Sequence, residues 1–417
     1  MPSSETAPRA TSGKWLSIVG IGEDGIAGLG EEARRLIASA ATVFGGRRHL
    51  DLARPLTAGE ARPWPSPFDR AVKDVVALRG TSVCVLASGD PFLHGVGATL
   101  ARHVAAGEMH VVPQPSAFSL AAARLGWPLQ DIETLSLHGR DIVHIRPFLH
   151  PGRHLLVLTS DDKAPAAVAS LLTELGFGPS QIGVLEALGG DRENIRSTTA
   201  QAFDLPAINP LNLLAIAVIA EHEDSLVPLT PGIADTLFDN DGQITKHEIR
   251  ALTLSALAPR RGELLWDVGA GSGSVSIEWM LRHPAMRAIA IERDAMRAAR
   301  IGRNAAALGV PSLVVVNDLA PRAFDGLDRP DAIFIGGGGS EPGIVDRAIA
   351  GLRPGGRLVA NAVTLEMEAM LLGLHANHGG NLARVAVSRA GPVGSMTGWR
   401  PAMPVTQWTW VKPGVKQ

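Results

Sequence analysis

The sequence predicts an α/β protein of two domains, each built largely on parallel strands. Three observations carry this. The chain has 417 residues, too many for one ordinary core. Short apolar runs alternate with helical stretches through glycine- and proline-rich turns. The alternation breaks at His222 to Gly232, a stretch holding Pro228 and Pro231, and then restarts. The division expected is a flexible tail over 1–13, a first domain over 14–223, a linker over 224–243 and a second domain over 244–417.

In the first domain Lys14 to Gly20 reads as a buried strand that runs into a glycine-rich turn ending at Gly30. Glu31 to Ala41 has helical composition. Ser82 to Ala87 is the next strand, followed by Ser88-Gly89-Asp90-Pro91, a helix near Gly97 to Ala106 and the short strand His110 to Val112. Ser116 is placed to cap an alanine-rich helix, Ala117 to Leu125. Strands are expected at His154–Thr159, Ile182–Ala187 and Leu213–Ile219, with a helix over Pro165–Leu175.

In the second domain Lys246 to Leu257 is an amphipathic helix. Strands at Glu263–Val268, Arg287–Ile291, Ser312–Val316, Ala332–Ile335 and Arg357–Ala360 alternate with helices at Val275–Arg282, Asp294–Leu308 and Pro342–Leu352. That βαβα series predicts a doubly wound parallel sheet.

Composition narrows the function. The hydrophobic fraction is 46%, the charged fraction 19% and the formal net charge -2. No basic excess marks a nucleic-acid binder. The single cysteine, Cys84, excludes an intrachain disulfide and a cysteine-based metal cluster; it reads as a buried structural thiol, and no metal site is expected. The polar start lacks an apolar signal core and no run is long enough to span a bilayer. A cytoplasmic enzyme, without membrane or nucleic-acid partners and assembled as a homo-oligomer, is the expectation.

The strongest local signal is Asp267-Val268-Gly269-Ala270-Gly271-Ser272-Gly273, between a strand and a helix. Glycines allow a tight turn and close approach of a ligand. Glu292, at the end of the next strand, is where an acid accepts hydrogen bonds from ribose hydroxyls. The G-x-G-x-G spacing and the preceding acid differ from a diphosphate-binding loop. They suit S-adenosylmethionine, which carries a sulfonium and an ammonium and no phosphate. The loop, Glu292 and Asn317-Asp318 resemble the cofactor-facing positions of Rossmann-like methyltransferases.

In the first half, Gly89-Asp90-Pro91 is weak alone. It is accompanied by Gly20-Ile21-Gly22-Glu23-Asp24-Gly25, Gly45-Gly46-Arg47-Arg48-His49-Leu50 and Pro113-Gln114-Pro115-Ser116-Ala117. This set resembles the tetrapyrrole methylase family over about 14–228. The first turn is similar to the branch acting at C5 of precorrin-type macrocycles. The resemblance implies a two-lobed fold with the cofactor in the cleft, lined by Gly89, Asp90, Pro91, Ser116 and Ala117.

The second half resembles decarboxylating C15-methyltransferases of the same pathway from Pro231 to about Trp410. It shares Ile244 to Arg250, the glycine loop, Asp331 to Gly337 and Asn361 to Thr364. The two resemblances together imply a bifunctional corrin-pathway C-methyltransferase, a small tetrapyrrole as substrate and S-adenosylmethionine at Asp267, Gly269, Gly271, Gly273, Glu292 and Asp318. His247 and Glu248 are the candidates for proton transfer. Arg47, Arg48, Lys246 and Arg250 are the candidates for the substrate's carboxylates, with Arg389 and Arg140 behind them. Rival readings are a cobalt-containing substrate, an RNA or protein methyltransferase, a binding module without turnover and a nicotinamide dehydrogenase.

Overall fold

The computed structural model describes residues 13–65, 69–222 and 225–414. Apart from Gly13, the expected tail lies outside the described residues. The chain divides into two compact units: one runs to Ile142 and resumes over His150–Ser225, the other combines Val143–Leu149 with Leu226 onward. Residues 226–243, expected as linker, therefore belong by their packing to the second unit.

The first unit holds two sheets. Its first lobe contains β1 (Leu16–Ile21), α1 (Glu31–Ala38), β2 (Thr42–Gly45), α2 (Arg47–Ala53), β3 (Glu60–Pro63), α3 (Asp69–Val76), β4 (Val83–Ser88), α4 (Val96–Leu100) and β5 (Met109–Val112). The five strands are parallel in the order β3-β2-β4-β1-β5. The central strands β1 and β4 are continuous apolar runs because both faces are covered. Cys84 in β4 is fully buried, and burial pushes its thiol up to about 12, as a structural residue requires. The helix expected over 97–106 is shorter, ending at Leu100.

The second lobe contains α5 (Ala117–Leu125), β6 (Ile132–Ser136), β7 (His154–Leu158), α6 (Ala164–Glu174), β8 (Gln181–Glu186), β9 (Asn194–Thr199) and β10 (Asn212–Ala217). Its sheet is mixed, in the order β6-β7-β10-β8-β9. Ser116 caps α5, its hydroxyl accepting from the Ser119 backbone N–H at 3.1 Å.

The second unit contains α7 (His247–Leu257), β11 (Leu264–Val268), α8 (Ser274–Leu281), β12 (Arg287–Ile291), α9 (Ala295–Ala307), β13 (Val314–Val316), β14 (Ala332–Ile335), α10 (Ile344–Gly351), β15 (Arg357–Ala362), α11 (Leu365–His378), β16 (Asn381–Val385), β17 (Ser388–Val393), β18 (Met396–Pro401) and β19 (Val405–Val411). The seven-stranded order is β13-β12-β11-β14-β15-β19-β16. It is parallel through β15; β19 and β16 add antiparallel edges. Two apolar clusters cover the two faces, one around Trp279 and Phe334 and one around Trp266 and Trp408.

Each parallel sheet has a point where the strand order reverses, between β1 and β4 in the first unit and between β11 and β14 in the second. Ligands bind such sheets at the carboxyl ends of the strands flanking that point.

Candidate functional site

In the second unit the glycine loop leaves the end of β11 at the reversal. Gly269, Gly271 and Gly273 have φ of 70°, 60° and 76°, the left-handed region that glycine enters without strain. Space demands the same residue. A Cβ on Gly269 would stand 2.3 Å from the Gly337 carbonyl oxygen, and one on Gly273 would stand 2.7 Å from Ile301. The loop is thus pressed between the end of β14 and α9.

Glu292 follows β12 and is 5% exposed. One carboxylate oxygen accepts from the Gly271 backbone N–H at 2.8 Å and the other from that of Asp294 at 3.0 Å. These bonds fix its orientation, and each oxygen retains acceptor capacity. Asp267 lies beneath the loop, 1% exposed. Its Oδ2 accepts from the Ser276 backbone N–H at 3.0 Å and hydroxyl at 2.6 Å, and its Oδ1 is buried without a partner among the described residues. Burial, against the pull of the Ser276 bonds and with a smaller push from Glu292, raises its carboxyl to about 6.

A cavity of about 510 Å3 opens above the loop. Gly269, Gly271, Glu292 and Asp318 line it together with Lys246, Ile249, Asn361, Val363, Arg389 and Val405. Gly242 to Lys246 forms a further wall. That wall is clasped to α9: Asp241 accepts from Arg297 at 2.9 Å, Asp239 pairs with Arg303 at 2.9 Å, and Arg300 reaches Asp241 at 3.1 Å. The bond from Arg297 leads in lowering the Asp241 carboxyl to about 2. Asp318 stands at the wall with its side chain engaged by Arg322, whose hydrogen bond holds it below its ordinary value.

Several expected residues stand elsewhere. Arg250 requires a correction: it is fully buried, and its guanidinium donates to Glu278 at 2.5 Å, to Asp235 at 3.0 Å and to the Thr245 and Ile233 carbonyls. Four of its five N–H donors are engaged, and the guanidinium is sealed from solvent and from the cavity. Neither Asp267, Gly273, His247 nor Glu248 is part of the cavity wall. Glu248 accepts two bonds from Arg389, one at 3.0 Å. Burial raises its carboxyl, but the bond from Arg389, with help from its own backbone and His247, leaves it below the ordinary value. His247 is half-exposed, 3.4 Å from Glu248. Among the described residues Lys246 has a single ion-pair contact, 3.9 Å from Asp235, and remains available.

In the first unit the ends of β1, β4 and β5 converge as tightly. A Cβ on Gly20 would stand 1.9 Å from the Gly89 carbonyl oxygen, and one on Gly89, whose φ is 52°, would stand 2.8 Å from that of Pro115. Gly89, Asp90, Ser116 and Ala117 therefore form one junction. Asp90 accepts from the Phe92 backbone N–H at 2.8 Å, an Asx turn that shapes the loop. Arg47 is exposed at the start of α2. Arg48 pairs with Glu23, which lies in the loop after β1.

The sequence reading missed Gln243, Arg293, Arg297, Val387 and Met403 on the second unit's cavity wall. Arg297 stands in the first turn of α9 and the others in loops, and no short motif announces them.

Two family models match the chain: Tetrapyrrole (Corrin/Porphyrin) Methylases over residues 16–204 and a Precorrin methyltransferase domain over residues 236–412. The Precorrin-6Y C(5,15)-methyltransferase [decarboxylating] of a Sinorhizobium species is 59% identical over 95% of this chain and 96% of its own. A protein of the same name from Mycobacterium tuberculosis is 44% identical over 95% of this chain and 100% of its own. The solved C-terminal domain of precorrin-6Y C5,15-methyltransferase from Rhodobacter capsulatus is 49% identical, covers 45% of this chain and 100% of its own, and has a TM-score of 0.43.

Proposed function

Because the chain belongs to the family of decarboxylating precorrin-6Y C(5,15)-methyltransferases, we propose that it methylates precorrin-6Y at C5 and C15 and removes the carboxyl of the C12 acetate arm, giving precorrin-8X in cobalamin biosynthesis. The observation that carries the reading onto these residues is the pairing of a sterically obligatory glycine loop with Glu292 on one cavity wall. Two domains, meeting in sequence near residue 225, each take one S-adenosylmethionine, and the reaction runs in the cytoplasm.

The residues fit that cofactor. In the second domain Gly269 and Gly271 provide a cradle that any side chain would fill, and Glu292 offers acceptors to ribose hydroxyls. The buried, unpartnered Oδ1 of Asp267 places negative charge beneath the loop and leaves a phosphate no welcome. In the first domain the Gly20, Gly89 and Pro115 junction supplies the corresponding cradle, with Asp90, Pro91, Ser116 and Ala117 around it.

When bound, S-adenosylmethionine supplies an electrophilic methyl group. The macrocycle carbon is itself the nucleophile, so the chain's contribution is placement, which carries about 7–11 kcal/mol in well-oriented model systems. Lys246 and Arg389 flank the second cavity and hold substrate carboxylates, Glu248 orienting Arg389 and His247 standing beside it. In the first domain Arg47 and Arg48 serve the same purpose. For loss of CO2 the conjugated macrocycle accepts the electron pair, and the apolar wall of Ile249, Val363 and Val405 strips water from the departing carboxylate.

Mass spectrometry of precorrin-6Y incubated with the full chain and S-adenosylmethionine tests the reading. A product heavier by two CH2 units, each methyl replacing a proton, and lighter by one CO2 is expected. No change in mass, or turnover only of a cobalt-containing substrate, would overturn it.

A further inference from the structure

At the strand-order reversal of the first domain, four side chains from three segments of the chain meet. Glu23 follows β1, Arg48 and His49 open α2, and Ser88 ends β4. Arg48 Nη1 donates to Glu23. Arg48 Nη2 lies 2.9 Å from His49 Nε2 and 3.0 Å from Ser88 Oγ, and His49 Nε2 lies 2.8 Å from Ser88 Oγ. We infer that His49 is a positioning residue: its neutral ring fixes the Arg48 guanidinium toward the crevice, where Arg48 receives a carboxylate of the acidic macrocycle. This rests on the reading of Arg48 as a substrate ligand.

The chemistry of the triangle assigns the proton. A guanidinium only donates, so Nε2 of His49 must accept, and the ring proton sits on Nδ1. The Ser88 hydroxyl accepts from Arg48, and its own proton shares the single Nε2 lone pair with the donor from Arg48. A protonated ring would set two donors against each other, and burial together with Arg48 lowers His49 to about 4. Nδ1 is buried without a partner among the described residues. A ring kept for packing alone gains nothing from that arrangement, since an apolar side chain would fill the same space without stranding a donor.

The guanidinium keeps a binding edge. Of its five N–H donors, the contacts to Glu23, His49 and Ser88 engage three, and its side chain is 35% exposed. Ser88 immediately precedes Gly89, so Arg48 is anchored to the residue beside the cofactor cradle. Glu23 lies also 3.8 Å from Arg192, which follows β8. The anchored arginine thus stands where both lobes approach the crevice, and an acidic ligand meets a guanidinium already ordered.

Steady-state C5 methylation by the full chain, with the KM for precorrin-6Y read against kcat, tests the role in R48A, H49A, H49Q and the R48A/H49A double variant. R48A should raise KM at least about tenfold. H49A should raise it roughly three- to tenfold with little change in kcat, and the double variant should match R48A alone, because neighbours acting through one contact are not additive. H49Q, whose amide oxygen can accept in place of Nε2, should recover most of the loss, and cofactor affinity should stay unchanged throughout. An unchanged KM in R48A would overturn the substrate seat and the role of His49 with it. A raised KM in R48A beside an unchanged KM in H49A, an additive double variant, or no recovery in H49Q would overturn the role of His49 alone.

Discussion

Asp267 and Ser276 are joined twice across the glycine loop, through the backbone N–H at 3.0 Å and the hydroxyl at 2.6 Å, both to the same carboxylate oxygen. The acid therefore ties the end of β11 to the first turn of α8 and holds the loop between them. D267A removes both bonds, and S276A removes only the one from the hydroxyl. A lost hydrogen bond to a charged group costs about 1.5–3 kcal/mol, so D267A should weaken cofactor binding to the second domain roughly ten- to a hundredfold. S276A should have a smaller effect. Calorimetric titration of the full chain checks this, the first domain's site serving as internal control.

The same acid gives a pH dependence. Burial leads in raising its carboxyl from 3.8 to about 6 in the folded protein, so the folded state holds a proton that the unfolded chain has released. The stabilisation is fully present below about pH 3.8 and is lost as pH rises through about 6. Ligand-free protein should lose this contribution to thermal stability between those values, and D267N, which cannot ionise, should lack it. Melting curves across pH 4–8 for both proteins, compared by difference, provide the measurement. A difference independent of pH would contradict the assignment.

The loop's geometry separates two glycines that look alike in sequence. Gly269 is barred from carrying a side chain by the Gly337 carbonyl 2.3 Å from its Cβ position, whereas Gly302, inside α9, meets nothing within 4 Å. G269A should abolish cofactor binding to the second domain. G302A should leave binding intact and stabilise the helix by up to about 1 kcal/mol. Binding isotherms and denaturant midpoints of the two variants distinguish the outcomes.

The periodic elements were legible because their signals are local. Apolar runs such as those of β4 and β11, bounded by glycine turns, announced the parallel strands, and the loop at Gly269 announced one wall of the second domain's cavity. The antiparallel pair β16 and β19 was not visible: β16 is a half-exposed edge that resembles a loop, and the buried β19, VTQWTWV, interleaves polar residues with its apolar ones. Nor was the role of Arg250. Its partners Asp235 and Glu278 lie fifteen and twenty-eight residues away, and only folding brings them to one buried point.

Arg250 accordingly belongs to stability. Removing one partner of a buried ion pair costs about 3–5 kcal/mol. Glu278 would keep its bonds from the Gly232 and Ile233 backbone N–H groups at 2.7 and 2.9 Å, which places the loss toward the lower end. R250M should lower the denaturant midpoint of the second domain while leaving the KM for the tetrapyrrole unchanged below the transition. A raised KM in a fully folded variant would restore Arg250 to the substrate site.

Each domain has its own glycine junction at its own strand-order reversal, and the two junctions share no residue. The first domain should methylate C5; the second should methylate C15 and release CO2. Two separate cofactor cradles need no common transition state, so damage to one should leave the chemistry of the other measurable. G269A should give a product at most one methyl heavier that retains its carboxyl. G89A, whose Cβ would stand 2.8 Å from the Pro115 carbonyl oxygen, should spare C15 methylation and decarboxylation. Product masses from each folded variant decide the matter. Loss of both activities in both variants would mean that the two sites act as one, and the division would fall.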